Sequence, residues 1–197
     1  MANNVLAFDI ETKNLSNEIG GWNNTHMFLV STVATWDGDI AKVYVDEPDN
    51  ITKGEYQILP MSQLKYDLDD HFEKGGKLLG HNIAGFDLPV LRDSLDIYCI
   101  SKYFKHRQYI DTSQLITKAC GERIALQNVI DHTLGESKLL ESHDAPALWK
   151  MGEYDKVIKY CLSDSKLVYD LWIAGKSDTI KAFSINNKEI IDIEVKW

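Results

Sequence analysis

Residues 5–15, VLAFDIETKNL, set two carboxylates inside an apolar run with the character of a buried strand. Val5, Leu6, Ala7, Phe8 and Ile10 supply the run, and Asp9 and Glu11 interrupt it two residues apart. Side chains alternate faces along a strand, so Asp9 and Glu11 are expected to project from one side, close enough to share a cation. Desolvation and mutual repulsion disfavour such a pair at the end of a buried strand, and a divalent ion would remove most of that cost.

With 197 residues, 44% of them apolar, the chain can bury an ample core and reads as one domain. No apolar run is long enough to span a membrane, and the N-terminus MANNVLAFDI has neither a basic start nor a cleavable apolar segment, so a cytoplasmic protein is expected. Cys99, Cys120 and Cys161 are widely spaced and odd in number, which supports neither a disulfide framework nor a structural zinc site. The formal charge of −9 argues against coating nucleic acid by bulk electrostatics. It leaves room for a metal-dependent nuclease, whose site must itself be acidic. The one basic stretch, 101–108 (SKYFKHRQ), reads either as a solvated loop or as a phosphate contact.

Along the chain, 27–36 and 40–45 are rich in β-branched and aromatic residues and flank Asp37-Gly38-Asp39, a hairpin signal. With 5–10 they predict a three-stranded opening sheet. A short strand is expected around 56–59, then a helix carrying Leu64, Leu68 and Phe72 up to Gly75-Gly76. Leu78-Leu79 predicts a short buried strand, and 85–95 a helix with Pro89 in its first turn. Ile110 to Thr112 ends another strand, where Asp111 or Thr112 would cap a helix over 113–120. Helices are further expected over 125–134, 146–150 and 154–174, and a hairpin over 182–195 around Asn186-Asn187. This order predicts an α/β fold with a mixed sheet flanked by helices.

In the long helix, Val157, Cys161, Val168 and Leu171 lie on one apolar stripe, and Asp164 falls inside it, so Asp164 should turn inward with Tyr160 one turn before it. A buried structural Asp is the plainer reading. Asp87 stands at the start of the 85–95 helix, where the helix dipole alone would favour an acid. Together, Asp9, Glu11, Asp87 and Asp164 could meet at one sheet edge. Four carboxylates can hold two Mg²⁺ or Mn²⁺ ions about 3.5–4 Å apart, a spacing suited to in-line phosphodiester hydrolysis.

In these residues the chain resembles the DEDD, or DnaQ-like, exonucleases of the ribonuclease H-like fold. Asp9-Ile10-Glu11-Thr12 with Leu15 looks like their first motif. The run His81 to Pro89 (HNIAGFDLP) is similar to the second, especially as found in the proofreading domains of DNA polymerases. Tyr160-Cys161-Leu162-Ser163-Asp164 matches the third in its YxxxD form, and Lys159 stands where the sister form carries histidine, which places the resemblance in the tyrosine (DEDDy) subclass. The resemblance covers roughly 5–172 of the exonuclease unit, 1–175, with 176–197 as a C-terminal hairpin extension.

The resemblance implies that Asp9, Glu11, Asp87 and Asp164 bind two divalent cations, Mg²⁺ or Mn²⁺, and that Tyr160 orients the attacking water with help from Glu11. It further implies that Thr12 and Leu15 contact the terminal nucleotide and that Asn82 and Phe86 line the path of the strand. Each of these also has a plain reading, Leu15 and Phe86 as core, Thr12 and Asn82 as loop hydrogen-bonders. Asp111-Thr112 reads as capping and His81 as structural. The expected activity is a 3′-to-5′ exonuclease on single-stranded nucleic acid, DNA in preference to RNA, with a separate polymerase or other replication or repair protein as partner. The alternatives are an RNA 3′-end trimming enzyme of the same subclass and a non-catalytic module that binds nucleic acid or protein.

Overall fold

A computed structural model describes residues 4–46, 51–52, 54–137, 139 and 143–197. Strands β1 (Val5–Thr12), β2 (Val30–Trp36), β3 (Ala41–Val45), β4 (Gln57–Pro60), β5 (Lys77–Gly80) and β6 (Tyr109–Asp111) form one mixed sheet in the order β4-β3-β2-β1-β5-β6. β1-β2 and β2-β3 are antiparallel, as the hairpin signal requires, while β1-β5, β5-β6 and β3-β4 are parallel. The helices are α1 (Met61–Glu73), α2 (Asp87–Ser94), α3 (Cys99–His106), α4 (Thr112–Cys120), α5 (Leu126–Leu134), α6 (Ala145–Lys150) and α7 (Tyr154–Ser177), followed by the antiparallel hairpin β7 (Ile180–Ser184) and β8 (Glu189–Ile193). The expected α/β architecture, mixed sheet and C-terminal hairpin are therefore present. Among the described residues no helix is long and apolar enough to cross a membrane.

Alternation along β1 divides the core. Phe8 and Ile10 pack with Leu64 and Leu68 of α1, Leu88 and Leu91 of α2, and Ile100 and Tyr103 of α3. Val5 and Ala7 pack on the opposite face with Val129 and Ile130 of α5, Val168 and Leu171 of α7, and Ile180 and Ile193 of the hairpin. Asp9 and Glu11 share the second face, so the strand that centres the sheet aims both acids at α7.

Two expectations need correction. Residues 27–29 are not strand: Thr25–Met27 is a 3-10 turn and β2 begins at Val30. Asn14 donates to the Met27 carbonyl (3.0 Å) and accepts from the Leu29 N–H (2.9 Å), which commits these backbone groups to a loop clamp instead of a ladder. The basic stretch 101–108 is mostly helix, within α3, whose Ile100 and Tyr103 are buried against α1. Tertiary packing makes this short helix, and Lys102 bridges Asp69 (2.9 Å) and Glu73 (3.0 Å) of α1. That lysine's charge is spent on the fold.

α1 is fastened to β3 through Asp67, which accepts from Lys42 (2.9 Å), Tyr44 (2.7 Å) and Gln63 (2.8 Å). Partial burial works against its charge, but the bonds from Gln63, Lys42 and Tyr44 outweigh it and hold its pKa below the ordinary carboxylate value. A carboxyl with a depressed folded-state pKa stabilises above its unfolded pKa and loses that contribution as pH falls through the folded one. Asp67→Asn should therefore melt lower than the parent at pH 7, and the difference should shrink as pH drops below about 4. Thermal melts from pH 3 to 7 measure it, and a gap that widens on acidification would contradict the assignment.

Candidate active site

The site is built at the carboxyl end of β1. Asp9 lies opposite Ala34 and Glu11 opposite Thr32 in the ladder with β2, and a register shift follows between Glu11 and Thr12. β5 pairs with β1 only from Val5 to Ala7, so the strand's other edge is open beyond that point. The Asp87 carboxylate enters there from the start of α2 and accepts the Ile10 N–H as well as its own. The approach is tight at Gly80, where an added Cβ would lie 3.1 Å from the Phe8 carbonyl and overlap the Ile83 side chain.

α7 supplies the opposite wall. As the stripe predicted, Val157, Cys161, Asp164, Val168 and Leu171 are all buried, Asp164 at 2% exposure and Tyr160 at 1%. Two short side chains seat the helix: the Cys161 thiol donates to the Asp9 carbonyl (3.3 Å), and the Ser165 hydroxyl to the Ala34 carbonyl (3.1 Å). One turn separates Tyr160 from Asp164, and the phenol hydrogen-bonds the Asp164 carboxylate. Burial raises the Tyr160 pKa far above its usual value, and the charges of Asp164, Glu11 and Asp9 add to the shift. Burial likewise raises the Asp87 carboxyl, against its two backbone bonds and with help from the charges of Asp111 and Asp164.

The segment between β5 and α2 hangs on Asp111, at the end of β6. Its carboxylate accepts from the Asn82 N–H and the Ala84 N–H, both at 2.9 Å, and from the Gln114 N–H of α4 at 3.2 Å. The expected capping role is real, and the same carboxylate also fixes the loop that delivers Asp87. Thr112 adds a second tie, donating to the Gly80 carbonyl (3.2 Å) and meeting His81 Nδ1 at 2.9 Å.

Of the remaining sequence candidates, Thr12 is buried and its hydroxyl donates to the Asn14 carbonyl at 2.8 Å. Leu15 is half-buried and precedes a 3-10 turn over Ser16–Ile19. Asn82 adopts a positive φ of 65° and its carbonyl accepts the N–H groups of Gly85 and Phe86. Phe86 stands edge-on to Phe28 (centroids 5.0 Å, 90°) and to Trp22 (5.4 Å, 80°). Sequence reasoning passed over Trp22, although a tryptophan after Gly20-Gly21 in a polar loop is itself a signal. Phe28, hidden in a stretch read as strand, gave none.

A cluster of this kind offers only oxygen donors from Asp9, Glu11, Asp87 and Asp164, without His or Cys, which matches the chemistry of a hard divalent cation. Among the described residues, no three His, Cys, Asp or Glu side chains are grouped closely enough to hold one ion as they stand. The donor set fits such an ion in kind, and the side chains would have to close on it. No protein-family model matches the chain, and no curated protein matches it.

Proposed function

We propose that the chain is a two-metal 3′-to-5′ exonuclease of the tyrosine DEDD type, with a ribonuclease H-like sheet, acting on single-stranded ends, DNA before RNA. The observation that carries the reading is that α7, with Tyr160 and Asp164 buried on it, is seated on β1 through the Cys161 bond to the Asp9 carbonyl, while Asp87 accepts from the Ile10 N–H of the same strand. The three motif resemblances supply the same five residues in the same order. A polymerase or other replication or repair protein is the proposed partner, and the cytoplasm the proposed compartment.

Asp9, Glu11, Asp87 and Asp164 would hold the two divalent cations, Mg²⁺ or Mn²⁺. Bound there, the ions would supply Lewis acidity toward the scissile phosphate and neutralise charge that develops on it. Tyr160, whose one O–H is donated to Asp164, would orient the water by accepting one of its hydrogens, without being consumed as a base. Glu11, beside it on β1, is placed to accept a proton from that water. Burial of Tyr160 and Asp164 keeps bulk water from competing with these hydrogen bonds.

The test is digestion of 5′-labelled single-stranded DNA and RNA of one sequence, in Mg²⁺, Mn²⁺ or chelator, beside Tyr160→Phe. The expected result is a metal-dependent ladder shortening from the 3′ end, faster on DNA, with kcat about 10²-fold lower in the variant, the size of losing one oriented hydrogen bond. The spread of the acidic side chains favours one other reading, a non-catalytic binding module. Failure of either strand to be cut with either metal would select it.

A further inference from the structure

The loop from Lys13 to Leu29 joins β1, which carries Asp9 and Glu11, to β2 and is anchored on both sides, to α2 and to α6. At its base the Lys13 N–H donates to the Leu29 carbonyl (2.6 Å), and Asn14 clamps Met27 and Leu29. On one flank Thr25 donates to Asp93 of α2 (2.5 Å); on the other Glu18 pairs with Lys150 of α6 (2.9 Å). Asn24 closes the tip through the Ile19 carbonyl (2.7 Å). Gly20 and Gly21, at φ of 82° and 120°, turn the chain immediately before Trp22.

Trp22 is 65% exposed, yet its position is set by two rings: Phe28 lies 6.1 Å away and tilted by only 31°, and Phe86 meets it edge-on. Phe28 is buried, and Phe86 directly precedes Asp87, so the indole is tied to the residue next to Asp87 without being hidden by the core. Leaving a large aromatic side chain in water while fixing its place is the arrangement of a platform prepared for a flat ring. The Asp87 carboxyl next to Phe86 disfavours a broad apolar protein surface, whereas a nucleobase is uncharged and flat, and its phosphate is what the cations proposed for Asp9, Glu11, Asp87 and Asp164 would hold. We propose that Trp22 stacks against one of the last bases of the single strand whose 3′ end enters the cluster. This inference rests on the exonuclease reading and adds a base-binding residue outside the three motifs.

Stacking on an aromatic side chain is sequence-tolerant and strong enough to change affinity by about tenfold or more. The test is a double-mutant cycle on the full chain, read by fluorescence anisotropy in Mn²⁺. The probes are 5′-labelled oligodeoxynucleotides with hydrolysis-resistant 3′ linkages, either intact or abasic at one of the last three positions. The parent should bind one of the abasic probes about tenfold more weakly than the intact one. Trp22→Ala should lose about as much on the intact probe and nothing further on that abasic probe, and Trp22→Phe should keep most of the affinity. Losses that multiply independently, or a Trp22→Ala variant that binds like the parent, would overturn the platform while leaving the nuclease reading in place. A parent that binds no probe and cuts no strand would overturn both. Trp22→Phe keeps the cycle interpretable should the alanine variant fold poorly.

Discussion

Asp164→Asn should lower the proposed nuclease activity by about a thousandfold or more, and yet leave the protein at least as stable as the parent in chelator. The two effects have one cause. Asp164 is buried at 2% exposure, bonded to the Tyr160 phenol, and its charge helps push the Asp87 carboxyl upward. Burying several like charges at one strand end is destabilising, so removing one relieves repulsion while an asparagine oxygen can still accept from Tyr160. In the proposed reaction the same charge is needed to hold a cation, a role whose loss typically costs 10²–10³-fold or more.

Metal should separate these roles. If the cluster binds Mn²⁺ in the folded state alone, the parent gains about 2.7 kcal/mol at a hundredfold excess over Kd. Asp164→Asn should lose most of that gain. Thermal melts of both proteins in chelator and in Mn²⁺ provide the check. A variant that melts well below the parent in chelator would mean that Asp164 is a structural acid, and equal Mn²⁺ shifts in the two proteins would mean that it holds no cation.

The parts of this arrangement that were legible in the sequence are those governed by periodicity. Alternation placed Asp9 and Glu11 on one face of β1, where Glu11 is buried and Asp9 half-buried, and the helical stripe turned Asp164 inward with Tyr160, both of which are buried. Turn chemistry located the β2-β3 hairpin at Asp37, whose carboxylate accepts the Asp39 and Ile40 N–H groups at 2.9 and 2.7 Å. What was not legible depends on partners distant in the chain. α3 is a helix because Ile100 and Tyr103 find α1, and Trp22 is fixed by Phe86, which lies far along the chain. The thiol of Cys161 was expected to be a core group and is one, but its bond to the Asp9 carbonyl exists only once α7 lies on β1. Asp111 was recognised as a cap because that role is local, and its hold on Asn82 and Ala84 was missed because it is not.

That hold makes Asp111→Ala the complement of Asp164→Asn: stability should fall sharply and activity only in part. Alanine would strip acceptors from the N–H groups of Asn82, Ala84 and Gln114 in a site where Asp111 is 2% exposed. A donor left without an acceptor costs about 1–3 kcal/mol, and because these three bonds are only part-buried the low end applies, so a loss of about 3 kcal/mol is expected, lowering the melting temperature by about 10 °C in a domain of this size. Relief of the Asp111 charge beside Asp87 acts in the opposite direction, but it is a lesser influence on that carboxyl than burial, and three broken hydrogen bonds outweigh it. Asp111→Asn should fall between, since its oxygen can still accept while its amide faces an N–H that needs an acceptor. Thr112 still ties Gly80 and His81, so the loop stays attached and Asp87 is loosened instead of lost. Activity measured well below the new melting temperature should therefore drop about tenfold, far less than for Asp164→Asn, the scale expected when a reacting group is misplaced but present. Melting and digestion of the two Asp111 variants side by side decide it: an alanine variant as stable as the parent would show that the carboxylate does not hold the loop, and one inactive while fully folded would move Asp111 into the reacting cluster itself.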